Sequence, residues 1–392
     1  MAIKDIHHVT IGGGQDLMCH WPRQGGLWRW GDELLAGYIE SPCDYTDPRQ
    51  GGHGQSGIWD KGYVRLRRSQ DDGMLFNNSA SVAEQRRVLR LDEYGTARDG
   101  SPSGPPRDVL DMSGKEAVFM MGRAWCGDEV SIQDNRAVRN NIAYCYRSID
   151  RGHQWETTPS ILFPHHTKTV VELANNVAPL GDGRYVAWLV GYGGVEGASS
   201  PQGAPYSPQL YVTEDQGVSW HFYGEIYGDP SHRIAASYPQ ILFLPDGRWL
   251  CVLGCWYQAA GARLRWTAVT ISDDKGLSWS PPRKIHMWSV SPFPLLLRDG
   301  RIVLIYMRRN PDPTGLYAIV SEDLGVTWSK PVCLRDDTLS AGPTGLIDGG
   351  YPVAVQMVDN RIFTAYYWQH DDQDVPWYGG RKYIAGTFFR VN

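Results

Sequence analysis

What this sequence lacks narrows it quickly. Its seven cysteines (Cys19, Cys43, Cys126, Cys145, Cys251, Cys255 and Cys333) include no CxxC pair. An odd set argues against a full disulfide framework, and a chain of 392 residues is too large to need one. No metal-ligand spacing occurs, so no metal and no cofactor is expected. No apolar run is long enough to span a membrane. The stretch from Met1 to Gln15 is too polar for a signal peptide. The expectation is a cytoplasmic protein, or a secreted or periplasmic one whose leader has been removed. Basic charge is not in excess either: the net charge is -5, which disfavours nucleic acid as a partner.

What is present points to strands and turns. Apolar residues make up 42% of the chain, enough for a sizeable core. The 16 Trp, 21 Tyr and 44 Gly suit an all-β protein with many tight turns. Four segments align without gaps as Ser/Thr-x-Asp-x-Gly-x-x-Trp: Ser148–Trp155, Thr213–Trp220, Ser272–Trp279 and Ser321–Trp328. A weaker fifth copy runs from Ser69 to Phe76. Each follows a β-rich run, so each reads as a hairpin turn: the Asp accepts from turn amides, the Gly supplies positive φ and the Trp packs back on the sheet.

A second repeat alternates with the first. Asp182-Gly-Arg184, Asp246-Gly-Arg248, Asp299-Gly-Arg301 and the variant Asp359-Asn-Arg361 each sit between apolar runs and read as tight hairpins. The unit is therefore strand, Asp-Gly turn, strand, loop, strand, box turn, strand. That is a four-stranded antiparallel blade, which must stack on others to bury both faces. We expect a single all-β domain over residues 1–392, a β-propeller of six blades. The N-terminal run Ile6–Ile11 supplies a closing strand, and the poorly patterned stretch from Ala80 to Gly114 leaves room for a seventh blade.

The repeated motif is the Asp box, and over most of its length the chain resembles the sialidase (neuraminidase) superfamily. The resemblance implies a carbohydrate-active propeller whose chemistry lies on the face opposite the boxes. It also implies site residues. Arg23, nine residues before Asp32, is placed like a family arginine that binds a substrate carboxylate. Tyr351, eight residues before Asp359, is placed like the family nucleophile. Asp60, on the loop before the strand Gly62–Arg67, is placed like the acid/base. His53, in Gly51-Gly-His-Gly54, rivals it.

The match then departs from the family. Where a partner Glu is expected, the same interval of eight before Asp246 gives Tyr238. The second arginine is absent from Gly254–Tyr257, with Arg263 or Arg265 as substitutes. Arg308 and Arg309 are candidates for the third. Arg123, Arg136 and Arg139, read on the loop of the second blade, join His165, His166, His232 and Arg233 in a cationic, His-containing mouth on an acidic protein. Three readings remain open. One is a retaining exo-glycosidase on sialic acid or a related acidic sugar. Another is a lyase that eliminates at a uronate, with His and Tyr moving protons. The last is a propeller that binds glycans without catalysis. Trp28, Trp30, Trp256, Trp288 and Trp377 suit sugar stacking in each, and the partner in all three is an acidic oligosaccharide or polysaccharide.

Overall fold

The computed structural model describes residues 3–47, 50, 62–77, 88–89, 108–133, 136–194, 206–229, 231, 233–257, 265–285, 289–309, 313–337, 348–370 and 380–392. Its strands form six four-stranded sheets, the blades of a β-propeller. The N-terminal strand β1 (Ile3–Gly12) belongs to the last of them. The first sheet holds β2 (Leu17–His20), β3 (Leu27–Trp30), β4 (Glu33–Pro42) and β5 (Tyr63–Ser69). The second holds β6 (Val88–Leu89), β7 (Val118–Gln133), β8 (Arg136–Ser148) and β9 (Ser160–Leu162). β10 (Thr167–Pro179), β11 (Tyr185–Gly194), β12 (Ser207–Thr213) and β13 (His221–Glu225) make the third. β14 (Ile234–Phe243), β15 (Trp249–Tyr257), β16 (Arg265–Ser272) and β17 (Arg283–Ile285) make the fourth. The fifth is β18 (Val290–Leu296), β19 (Ile302–Arg308), β20 (Gly315–Ser321) and β21 (Val332–Arg335). In the sixth, β22 (Gly350–Gln356), β23 (Ile362–Gln369) and β24 (Lys382–Val391) are completed by β1, which pairs antiparallel with β24. The expected closing strand is therefore the outermost strand of the last sheet.

Within the described residues the pairings are antiparallel except one: the two-residue β6 runs parallel to β7. Arg136 and Arg139 lie on β8 and Arg123 on β7, so the loop reading of these three is corrected. The two strands pair from Val118↔Ser148 to Gln133↔Arg136, with a register shift between Trp125 and Val130.

The chain divides into two compact units. One comprises residues 1–85 and 287–392 and carries the first, fifth and sixth sheets; the other comprises residues 86–286 and carries the second, third and fourth. In the first, aliphatic and aromatic side chains from the fifth and sixth sheets (Val303, Ile305, Leu316, Tyr366, Trp368 and Phe389) form a buried core. In the second, Met121, Leu173, Leu189 and Trp220 form one core, and Trp188, Leu210, Trp249 and Leu253 another. Cys19, Cys43, Cys145, Cys251, Cys255 and Cys333 are free thiols.

The box turns show why the motif repeats. In the first full copy Ser148 Oγ donates to Asp150 Oδ1 at 2.7 Å, the Gly152 amide donates to Ser148 Oγ at 2.9 Å, and the Gln154 amide donates to Asp150 Oδ1 at 2.9 Å. The copies at Asp215, Asp274 and Asp323 repeat these bonds. So does the degenerate copy: Ser69, Asp71, Gly73 and Leu75 make the same set. Not only the glycine but the residue before it has positive φ, as at Arg151 (58°) and Gly152 (77°). Trp220 is buried, whereas Trp155 and Trp279 are half-buried and bond their own box glycine carbonyls. The Asp-Gly hairpins carry a second clamp, in which the arginine folds back on its aspartate, at 2.7 Å for Arg184–Asp182 and 2.6 Å for Arg301–Asp299.

Candidate functional site

Three of the innermost strands share one irregularity, and each has a proline at it. A proline has no amide to give to a β-ladder, so a strand accepts it only at an edge or a bulge. β14, β18 and β22 each contain an X-Pro pair, Tyr238-Pro239, Ser291-Pro292 and Tyr351-Pro352. The ladder to the next strand slips across each, between Ser237 and Gln240, Val290 and Phe293, and Gly350 and Val353. The residue before each proline is left-handed, with φ of 56° at Tyr238, 50° at Ser291 and 52° at Tyr351. These are costly conformations for non-glycine residues, of the kind that cluster at functional sites.

In the first sheet the same device is enlarged. Trp21, φ 49°, precedes Pro22, and the strand breaks into a single helical turn, α1 (Pro22–Gly25), between β2 and β3. Arg23 therefore sits on a buried helical turn, not on the strand expected from its register. The turn lies directly on β4: a methyl group on Gly25 would overlap the backbone of Gly37, and one on Gly37 would overlap Gly25.

The unit that carries α1, β18 and β22 assembles a cluster from them. Arg23 is buried, and its Nη1 donates to the carbonyl of Pro292 at 3.5 Å, on the bulge of β18. The Trp21 ring lies 6.3 Å from the ring of Tyr351. Arg309 also stands over Tyr351, its guanidinium carbon 5.5 Å from the ring centroid. Arg309 is held by several acceptors: Nε and Nη2 donate to Gly349 O at 3.0 and 2.8 Å, and Nη2 donates to the Tyr367 hydroxyl at 2.7 Å. Asp348 lies 3.4 Å from the same Nη2 and accepts from the Tyr367 hydroxyl. Burial pushes the Tyr367 phenol well above its ordinary range, against the Arg309 cation and with the Asp348 carboxylate adding to the rise. Tyr367 thus stays neutral and donates. The buried His20 ring closes the group, 5.0 Å from Tyr367 and 5.4 Å from Trp21.

Of the expected residues, this unit sets Arg309 beside Tyr351 and holds Arg23 on α1 against Pro292 of β18. Arg308 stacks instead over Tyr317, 5.5 Å from its centroid. Tyr238 and Arg265 belong to the other unit, where Tyr238 packs beside Gly254 and Arg265 lies over Trp256 at 5.3 Å. His165, in that unit as well, stacks on Phe222 at 3.9 Å, with the His166 ring tilted against it at 3.7 Å, and burial lowers its pKa. Asp60, His53, Arg263, His232, Trp288 and Trp377 lie outside the described residues.

Sequence reasoning missed His20, Trp21, Asp348, Tyr367 and Ser291. Ser291 and Trp21 carried a signal: each precedes a proline, and Ser291 lies eight residues before Asp299, the interval that located Tyr351 and Tyr238. Asp348 and Tyr367 carried none, because only strand packing brings them to Arg309. Among the described residues no group of three or more His, Cys, Asp or Glu is placed to hold a metal. No helix among them is long and apolar enough to cross a membrane.

Comparison with known proteins agrees with this architecture. A family described as BNR repeat-like domain matches residues 84–364. No curated protein matches by sequence. Among solved structures, a protein of unknown function from Dyadobacter fermentans is similar at 18% identity and TM-score 0.71, over 100% of this chain and 99% of that one. An α-L-arabinanase from Penicillium chrysogenum, solved with arabinobiose, is similar at 12% identity and TM-score 0.60, over 97% of each chain. The NanB sialidase of Streptococcus pneumoniae is similar at 12% identity and TM-score 0.57, over 98% of this chain and 69% of that one.

Proposed function

Because this chain belongs to the BNR repeat-like domain family, we propose that it is a carbohydrate-active enzyme, an exo-glycosidase acting on a terminal acidic sugar, sialic acid or a relative of it. The observation that carries the reading is the setting of Tyr351. A strained bulge holds the phenol near the Trp21 ring and the Arg309 guanidinium, in the unit that also buries Arg23. The likeness to an arabinanase and a sialidase supports glycan chemistry on this scaffold.

In this reading Tyr351 attacks the anomeric carbon, as a neutral phenol that is not repelled by a substrate carboxylate. Charge grows on the phenol oxygen as its proton passes to solvent water. The Arg309 cation offsets that charge from a fixed position, a form of electrostatic stabilisation that costs no reorganisation. Trp21, buried against Tyr351 and His20, fixes the orientation of the phenol ring. Arg23 supplies the guanidinium for the carboxylate. Asp60 or His53 protonates the leaving oxygen and then takes a proton from the water that displaces Tyr351 from the anomeric carbon, which releases the sugar and restores the phenol.

The test is an incubation with sialyl and uronate-terminated oligosaccharides, following both released sugar and the absorbance of an unsaturated uronate. Released sugar without the chromophore is the expected result. The chromophore would move the assignment to elimination at a uronate, and binding with neither product would leave a non-catalytic glycan receptor. Tyr351→Phe is expected to cut release on the order of 10²-fold or more while the protein stays folded. Full activity in that variant removes Tyr351 from the mechanism.

A further inference from the structure

We propose that Ser291 is a specificity-determining residue: its hydroxyl, on the bulge that Arg23 touches, donates a hydrogen bond to the carboxylate of the acidic sugar. The inference rests on the acidic-sugar reading above and deepens it. Ser291 is fully buried, yet its Oγ finds no hydrogen-bond partner among the described residues. A hydroxyl removed from water without a partner costs folding free energy. The backbone adds a second cost, since Ser291 is held left-handed at φ 50° in front of Pro292. Neither cost is explained by packing.

The repeat supplies the explanation. Ser291 occupies in β18 the register that Tyr351 occupies in β22, with the same left-handed backbone, the same following proline and the same interval to its hairpin turn. The corresponding residue of the first sheet, Trp21, is the one whose ring meets Tyr351. Within this unit, then, β18 and β22 each present one residue from a matching bulge, and the first sheet presents Trp21 from the start of α1; Trp21 and Tyr351 are neighbours. The third is a small hydroxyl. The adjacent carbonyl, of Pro292, is the acceptor that the Arg23 guanidinium reaches. A guanidinium and a hydroxyl donor at one bulge match the two oxygens of a carboxylate. A neutral sugar offers no such anion at that position.

The experiment compares the full-length protein with Ser291→Ala by thermal unfolding and by calorimetric titration with N-acetylneuraminate, glucuronate and the methyl ester of each. For a hydroxyl that serves the ligand, the thermal midpoint stays unchanged or rises. Affinity for the free acid that binds falls roughly ten- to hundredfold, the range for a hydrogen bond to a charged group, and the difference between the two proteins vanishes with the ester. A fall in thermal midpoint of about 2 °C or more with unchanged affinity would make the hydroxyl structural and overturn the proposal. Equal affinity of both proteins for the acid overturns it as well, while leaving the acidic-sugar reading intact. Failure of the parent protein to bind either acid sinks that reading, and the role of Ser291 with it.

Discussion

A guanidinium beside an aromatic ring keeps one orientation only if other groups fix it. For Arg309 those groups are the Gly349 carbonyl, the Tyr367 hydroxyl and the Asp348 carboxylate. Asp348 acts at one remove from Tyr351: it accepts from Tyr367 and balances the charge of Arg309. Asp348→Asn keeps the shape and removes the charge. Arg309 then loses its counter-charge and drifts from the Tyr351 ring. The expected outcome is a loss in kcat of roughly 10²-fold with little change in KM, since a displacement of about 1 Å near the reacting atoms has that effect. Steady-state kinetics on the oligosaccharide that is hydrolysed reads it. A proportional rise in KM with kcat intact would instead make Asp348 a binding residue.

Two elements carry their own predictions. In the box turn, Asp274 is held down at about 2, by the Ser278 hydroxyl first, then the Ser278 amide and the Ser272 hydroxyl. The Asp71, Asp150, Asp215 and Asp323 carboxyls are likewise below their ordinary value. A carboxylate whose pKa is depressed in the folded state stabilises the fold above the unfolded value of about 3.9, and this stabilisation is lost as pH falls through the folded one. Thermal midpoints should therefore drop as pH is lowered from about 4 toward about 2. Asp274→Asn should lower the midpoint at neutral pH and flatten part of the acid decline. The second element is α1. Gly25 and Gly37 touch backbone to backbone, so Gly37→Ala forces the turn off β4. An overpacked contact costs about 1–3 kcal/mol, readable as a shift in the denaturant midpoint. Arg23 rides on that turn, so binding of the acidic sugar should weaken in the same variant.

At the scale of the whole molecule the N-terminal strand matters most. β1 pairs with β24 from Ile3↔Val391 to Gly12↔Ile384, joining the two ends of the chain in one sheet. Removing residues 1–12 leaves β24 as an open edge whose amides and carbonyls seek another strand. The expected outcome is self-association, seen by light scattering, together with a lower thermal midpoint. A monomer of unchanged stability would show that the closing strand is dispensable.

The chain by itself determined whatever depends on near neighbours. Each box is closed by bonds between residues two to four apart, and each Asp-Gly hairpin by a pair two apart, as at Asp150 and Asp182. Such turns can be read from spacing, which is why even the degenerate copy at Asp71 was recognisable and why the strand pattern and the closing strand followed. The interval from the hairpin also located Tyr351 on the innermost strand of its sheet. Only the tertiary structure decided the rest. It turned the Arg23 segment into a helical turn, because Pro22 breaks the ladder and Gly37 lets a backbone sit against it. It brought Arg309 against residues 40 and 58 positions away, Gly349 and Tyr367, and so set the charge beside Tyr351. Contacts of that separation depend on how neighbouring sheets pack, and no spacing along the chain encodes them.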